Sequence, residues 1–242
     1  MRARGLEEYK ELLSSKEGSS FFEELVAPDL GDLVWVPNPG PQTEAYFSPA
    51  DEVFYGGQAG GGKTDLLLGL AFTQHKHSLI LRRTNTEATG LGERASEILG
   101  TRDGFNSQTG VWRYKERVVE LGGCQLEEDK QKRKGKPHDL IGFDEVSDFT
   151  QTQYEFIIGW NRSANPAQRC RVVAAGNPPT RPEGIWVLKR WAAWLDPTNY
   201  RGRPAEPGEL RWYTTDPSSG EEIEVDGPGP HLIAGEYVRA RS

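Results

Sequence analysis

Three short stretches of this sequence hold residue types whose spacing can do chemistry. Gly57-Gln58-Ala59-Gly60-Gly61-Gly62-Lys63-Thr64 has the spacing G-x-x-x-x-G-K-[ST]. A triphosphate tail needs several donors converging at ~3 Å. A loop nearly free of Cβ atoms lets backbone N–H groups turn inward to supply them. A helix starting after Gly62 aims its positive end at the anion. Lys63 then reaches the β and γ phosphates of ATP, and Thr64 offers a hydroxyl to Mg²⁺. The second stretch, Leu140-Ile141-Gly142-Phe143-Asp144-Glu145, is an apolar run that ends in two carboxylates. Asp144 is suited to hold Mg²⁺ through its water, and Glu145 to polarise an attacking water as general base. Adjacent side chains on a strand face opposite ways, so the two roles require a turn just after Asp144. By itself this run reads equally as a solvated strand end. Downstream of a phosphate loop it reads as part of a nucleotide hydrolase, and a water-activating carboxylate favours that over a small-molecule kinase. The third stretch, Arg171-Val172-Val173-Ala174-Ala175-Gly176-Asn177, ends in an amide that is either a sensor of the γ-phosphate or a turn residue before Pro178.

Weaker candidates surround these. Leu81-Arg82-Arg83-Thr84 puts two guanidiniums at a strand end, where they meet the nucleotide site, nucleic acid or a neighbouring subunit, or form a surface ion pair. Gln42 lies upstream of the phosphate loop, and its amide has the donor and acceptor that adenine N7 and N6 require. Lys130, Lys132, Arg133, Lys134 and Lys136 crowd into one segment just before the acidic strand. The segment is a solvated loop balanced by Glu127, Glu128 and Asp129, a DNA phosphate contact, or the source of a cation acting on a neighbour's γ-phosphate. Trp186, Trp191 and Trp194 share one expected helix, where core or lid packing is favoured over base stacking.

The elements that must position these residues alternate. Val53-Phe54-Tyr55 reads as a buried strand, followed by a helix from 63 to about 75. Strands are expected at 78–81, 140–143 and 171–175. Helices are expected at 86–99, 151–159 and 183–195, a hairpin over 111–114 and 118–121, and a strand over 210–214. Residues 5–26 open with a helical pattern, and 27–50 read as a wrapping arm with short extended pieces. Short apolar strands between helices imply parallel βαβ units, whose ligands sit at the carboxyl ends of the strands. Every candidate motif falls at such an end.

The 242 residues carry a formal net charge of −7 and are 36% hydrophobic, ordinary for a globular protein rather than a disordered, collagenous or coiled-coil chain. No apolar run approaches the ~18 residues of a membrane span, and the N-terminus shows no secretory signal. Cys124 and Cys170 cannot form a disulfide framework, which favours a reduced, intracellular setting. An acidic total still permits nucleic-acid binding, since only the face meeting phosphate must be basic.

Taken in order, the Pro41-Gln42 arm, the phosphate loop, Leu81-Arg82-Arg83-Thr84, the turn Gly135-Lys136-Pro137-His138-Asp139 into Ile141-Gly142-Phe143-Asp144-Glu145, a helix containing Tyr154 and ending near Asn161-Arg162, and Gly176-Asn177-Pro178-Pro179 form a recognisable series. The series resembles the ATPase domain of the large terminase subunit, the DNA-packaging motor of tailed bacteriophages, over roughly residues 35–195. The resemblance implies an α/β fold of the RecA-like ASCE P-loop NTPase type. It implies a mostly parallel sheet, with an additional strand between the two nucleotide motifs and a small C-terminal lid. The expected layout is an N-terminal helix and arm over 1–50, an ATPase core over 51–195, and a lid with the start of a linker over 196–242. The resemblance further implies ATP and Mg²⁺ as cofactors, ring assembly on a portal protein, a small terminase subunit as partner, and translocation of double-stranded viral DNA into a procapsid. The implied location is the host cytoplasm, docked transiently on the portal, with no membrane. Gly57, Gln58, Ala59, Gly60, Gly61, Gly62, Lys63, Thr64, Gln42 and Arg82 would bind nucleotide, Thr64 and Asp144 the metal, and Glu145, Arg133, Lys134 and Asn177 would serve catalysis. Where some members place a trans-acting arginine this sequence has Lys134, with Arg133 adjacent, and lysine lacks the bidentate fork. No acidic cluster of a metal-dependent nuclease follows, so the expectation is an ATPase domain without nuclease. The rivals are a DExx-type helicase core, which strand-displacement assays would separate, and a nucleotide-gated assembly protein with little turnover.

Overall fold

Five short strands lie parallel: β1 (Glu52–Gly56), β2 (His77–Arg82), β5 (Arg117–Gly123), β6 (Leu140–Asp144) and β7 (Arg171–Gly176). The computed structural model describes residues 34–57, 60–179 and 181–242, so the helix expected over 5–26 lies outside the described residues, as do Gln58 and Ala59. With β3 (Phe105–Asn106) and β4 (Val111–Tyr114) the strands form a seven-stranded sheet in the order β1-β7-β6-β2-β5-β4-β3. β7 therefore runs between β1 and β6, which gives the additional strand between the two nucleotide motifs. The fold is the expected mixed α/β architecture. The hairpin reading of 111–121 was incomplete. β4 and β5 pair antiparallel, and β5 also joins β2 in parallel, from His77↔Val118 to Arg82↔Gly123.

Side-chain alternation along the strands divides the core between the two faces. Ile80, Leu140, Val173 and Ala175 face α2 (Lys63–Thr73) and α3 (Asn85–Leu99). Leu79, Leu81, Ile141, Phe143, Val172 and Ala174 face Phe149, Tyr154 of α4 (Gln151–Ile158), Trp186 and Trp191. From Leu66 to Phe72 α2 is apolar and buried all round: Leu66, Leu67, Leu68, Leu70 and Ala71 are all inaccessible. Trp35 lies over Gly69, where a Cβ would come within 2.1 Å of the indole. α3 starts on a capping box, with Thr84 Oγ1 accepting from Glu87 N and the Glu87 carboxylate accepting from Thr84 N.

Two expectations need correction. Part of the arm is helical: α1 (Pro41–Phe47) places Pro41 at the first helical position, where its missing N–H costs nothing. The guanidinium of the fully buried Arg171 donates to Tyr46 O (3.1 Å) and Ala45 O (3.0 Å), pinning the helix's last turn to the sheet. Burial, reinforced by the charge of Arg169, pushes Arg171 down to about 9. Secondly, the helix expected over 183–195 is broken. A 3₁₀ turn precedes α5 (Ile185–Arg190), and α6 (Ala192–Leu195) follows a non-helical Trp191 at φ −110°, ψ 36°. The break lets Trp186 and Trp191 both pack on Tyr154, with ring centroids 4.9 and 5.9 Å away, while Trp194 turns to Tyr213 at 6.3 Å. The tryptophans thus pack as core rather than as an open stacking platform. The tail holds a strand at Trp212–Thr215 (β8), shifted slightly from the expected 210–214. It pairs with β9 (Glu222–Val225), and β10 (Pro230–Ile233) pairs with β11 (Glu236–Arg239).

One carboxylate ties these parts together. Glu52, at the first residue of β1, accepts from Arg190 (Nε, and NH2 at 2.8 Å) and from Tyr154 Oη at 2.7 Å, and lies 3.6 Å from Arg241 Nε. Burial disfavours its charge, but the hydrogen bond and charge of Arg190 outweigh that and hold the carboxyl below its ordinary value. Arg190 and Arg241 also share Glu222. Glu52→Ala strands a buried guanidinium and is expected to cost about 3 kcal/mol in urea unfolding at pH 7. Because the folded carboxyl sits below its free value of 4.5, its stabilisation is present above that pH and is lost as pH falls through the folded value. Wild type and variant should therefore converge below pH 4.5, and a pH-independent gap would disprove the assignment.

Candidate functional site

The carboxyl ends of β1, β2, β6 and β7 meet at one edge of the sheet, and the sequence candidates collect there. Past β1 the chain makes a turn that only glycines take easily, with Gly57 at φ 140°, Gly60 at 87° and Gly62 at 69°. Gly62 is then the cap of α2. Two contacts brace the turn. Tyr55 Oη donates to Gly61 O at 3.0 Å, and Gln42 Nε2 donates to Gly62 O at 2.8 Å. Gln42 Oε1 accepts from Asn38 N at 2.5 Å, so both ends of this buried amide are engaged within the arm and the loop. The structure thus brings Gln42 to the phosphate loop.

Lys63 is buried, and its Nζ donates to Gly57 O at 3.1 Å and to Asn177 Oδ1 at 3.0 Å. The ammonium is thereby curled over the loop's own mouth and tethered to the end of β7. Thr64 Oγ1 donates to Asp144 Oδ2 at 2.9 Å. Asp144 is 1% exposed, and Arg82 reaches the same oxygen with Nε at 2.8 Å and NH2 at 2.7 Å. The register that pairs Leu81 with Phe143 puts residues 82 and 144 side by side. Among the described residues Asp144 Oδ1 is buried without a hydrogen-bond partner. An orphaned carboxylate oxygen beside a threonine hydroxyl fits a hydrated Mg²⁺, which takes few protein ligands and keeps waters and substrate oxygens. Among the described residues there is no cluster of three or more His, Cys, Asp or Glu suited to a protein-only metal cage.

Glu145 leaves the strand at φ 58°, ψ 58°, a left-handed conformation unusual for a residue with a long side chain. Such strain, of order 1–3 kcal/mol, is characteristic of functional positions. Among the described residues the Glu145 carboxylate has no hydrogen bond or ion pair. Gly176 on β7 allows the turn. A Cβ there would sit 3.2 Å from Val146 N.

The remaining candidates separate. Arg83 donates to Cys124 O (3.1 Å) and to Gln153 Oε1 (2.7 Å), a structural brace. Arg133 folds back onto β5, with NH1 3.8 Å from Glu120, and burial pushes its pKa down against the opposing pull of that carboxylate. Lys130 and Lys132 pair with Glu127 and Asp129, whereas Lys134 and Lys136 are exposed. Tyr55 and the Arg82–Asp144 pair were not legible as site features. No local pattern marks a tyrosine as a loop brace, and the strand neighbour of residue 82 depends on sheet order.

Neither a family profile nor a curated protein sequence matches the chain. Among solved structures, it is similar to the large terminase ATPase domain of Thermus phage P74-26, at 13% identity and a TM-score of 0.46, over 78% of this chain and 78% of that one. An arginine-to-alanine mutant of the same domain gives 13% identity and a TM-score of 0.46, over 78% of this chain and 79% of that one.

The loop geometry predicts a specific coupling. A Cβ on Gly62 would lie 2.4 Å from Gln42 Nε2, on a backbone already left-handed. Gly62→Ala should cost about 1–2 kcal/mol for the backbone alone, with the clash added. Gln42→Ala in the same chain should recover the clash but not the backbone cost, as a double-mutant cycle of unfolding free energies will read. Strict additivity of the two changes would contradict the contact.

Proposed function

We propose that this chain is an ATP-hydrolysing motor domain of the large-terminase type, driving double-stranded viral DNA into a procapsid. The observation that carries the ATPase reading is the convergence of Lys63, Thr64, Asp144, Glu145 and Asn177, from three separate segments, on one end of the sheet. The order of motifs in the sequence supports the terminase assignment.

On this reading the loop amides and Lys63 bind the phosphates, and Lys63 exchanges Gly57 O and Asn177 for phosphate oxygens. Thr64 and Asp144 would hold Mg²⁺, which when bound neutralises charge on the β and γ phosphates. Glu145 accepts a proton from the water that attacks the γ-phosphorus, while the bond to the bridging oxygen breaks and ADP leaves. Asn177 loses its ammonium partner when nucleotide enters, which fits it to report the occupied state along β7. Lys134 or Arg133 completes a neighbour's site. Lys134 is the exposed one, and Arg133 would first have to leave Glu120. The proposed partners are double-stranded DNA, a portal protein, a small terminase subunit and further copies of the chain in a ring. The proposed place is the host cytoplasm, with docking on the portal. Among the described residues no helix is long and apolar enough to cross a membrane.

Glu145→Ala is expected to bind ATP with wild-type affinity and to lose turnover by roughly 10²–10⁴-fold. Unchanged steady-state hydrolysis in that variant would refute the role. Lys63→Ala should weaken nucleotide binding by about 1.5–3 kcal/mol, roughly 10- to 150-fold, by fluorescence titration. The specific hydrolysis rate should climb steeply with protein concentration, since sites are completed between subunits. A flat rate would favour a helicase core or a binding-only assembly protein.

A further inference from the structure

Three consecutive glycines, Gly60 to Gly62, close the turn before α2, and glycines carry little conformational preference of their own. Something outside the turn must therefore set which way its peptide groups face. A planar trans peptide points its N–H away from its C=O, so a hydrogen bond to one carbonyl aims the N–H of the next residue. Gly62 O is held twice, by Gln42 Nε2 at 2.8 Å and by Leu66 N at 2.9 Å in the first turn of α2. Gly61 O is held once. Among the described residues Tyr55 Oη, at 3.0 Å, is its only hydrogen-bond partner. The Gly61–Gly62 peptide thus depends on one hydroxyl, and the Gly62 N–H on its opposite side has no partner among the described residues. Tyr55 is itself fixed. It is next to last in β1, pairs with Ala175 of β7, and is 9% exposed, with its ring in the core that faces α2. Burial pushes its hydroxyl above the ordinary value, so it remains a donor at neutral pH.

We propose that Tyr55 is a positioning residue of the phosphate loop, whose hydroxyl turns the Gly61–Gly62 peptide so that the Gly62 N–H faces the phosphates. The inference rests on the ATPase reading and adds to it a residue that acts without touching the nucleotide. N–H groups that receive an anion bind best when they are aimed beforehand, because ordering a glycine run on binding lowers affinity. Tyr55 supplies that order from the sheet. Its ring is locked in place with β1, and its hydroxyl reaches six residues along the chain to the turn. Without the hydroxyl Gly61 O is left to water, and the peptide rotates among the orientations that glycine allows. The anion must then select one of them, and affinity falls by the fraction of time the N–H faces elsewhere.

The test titrates MgADP by calorimetry into wild type and into Tyr55→Phe, which keeps the ring and removes only the hydroxyl. The variant should bind about fivefold more weakly, the size of one neutral hydrogen bond. Val119→Ala opens the same core near the amino end of β5, away from the turn, and should lower Tm without changing affinity. Equal affinities for wild type and Tyr55→Phe would overturn the proposal. So would equal losses in Tyr55→Phe and Val119→Ala, which would mark the hydroxyl as a contributor to stability alone. Amide NMR gives a reading that stability does not move: the Gly62 N–H resonance should shift downfield with MgADP in wild type, and by less in Tyr55→Phe. If the phenylalanine variant fails to fold by circular dichroism, the wild-type spectrum decides, and a Gly62 signal unmoved by saturating MgADP would overturn the proposal. Wild-type protein that does not bind MgADP at all would sink the ATPase reading, and this inference with it.

Discussion

The charge on Asp144 organises the site. A carboxylate 1% exposed at the end of a central strand must be compensated, and every compensating group available comes from a different segment: Thr64 from the start of α2, Arg82 from the end of β2. Those two contacts fix α2 against β6 and β2 against β6 at the edge where the loop opens. The same constraint leaves Oδ1 bare. A carboxylate held on one oxygen and unsatisfied on the other is ordered by its neighbours without being saturated by them.

Lys63 obeys a parallel logic. Its ammonium needs oxygen partners when no anion is present, and Gly57 O and Asn177 Oδ1 supply them. Asn177 comes from β7, the strand inserted between those carrying the loop and the acid pair. The inserted strand thus reaches the phosphate loop through one amide, in addition to holding the two motifs a strand apart.

Much of this was legible because it is local. The glycine loop and the apolar run ending in Asp144-Glu145 depend on neighbours a few residues away, and the turn at Glu145 follows from two adjacent carboxylates needing different faces. What stayed hidden depends on distant pairing. Residues 117–123 looked like half a hairpin because nothing local shows that their other edge meets β2. Residues 27–50 read as an arm with short extended pieces, yet Pro41 within them opens α1. A proline is a poor guide to which side of a helix start it stands on. The uninterrupted helix over the tryptophans failed at Trp191, whose backbone leaves the helical region while its ring packs on Tyr154 and Phe54. Arg82 was visible as a charge at a strand end, but its partner was set by strand order, which the sequence does not spell out.

The cluster around Glu52 bears on how the chain assembles. The contact with Tyr154 spans 102 positions along the chain and that with Arg190 spans 138, and the tail arginine that joins them is farther still. Closing such loops carries an entropic toll that grows slowly with length, and contacts of this range form late. The strand beginning at Glu52 leads directly into the glycine turn, so its foot stays loosely held until segments made long afterwards arrive. On a ribosome, this carboxylate is among the earliest charges of the sheet to emerge and among the last to be matched.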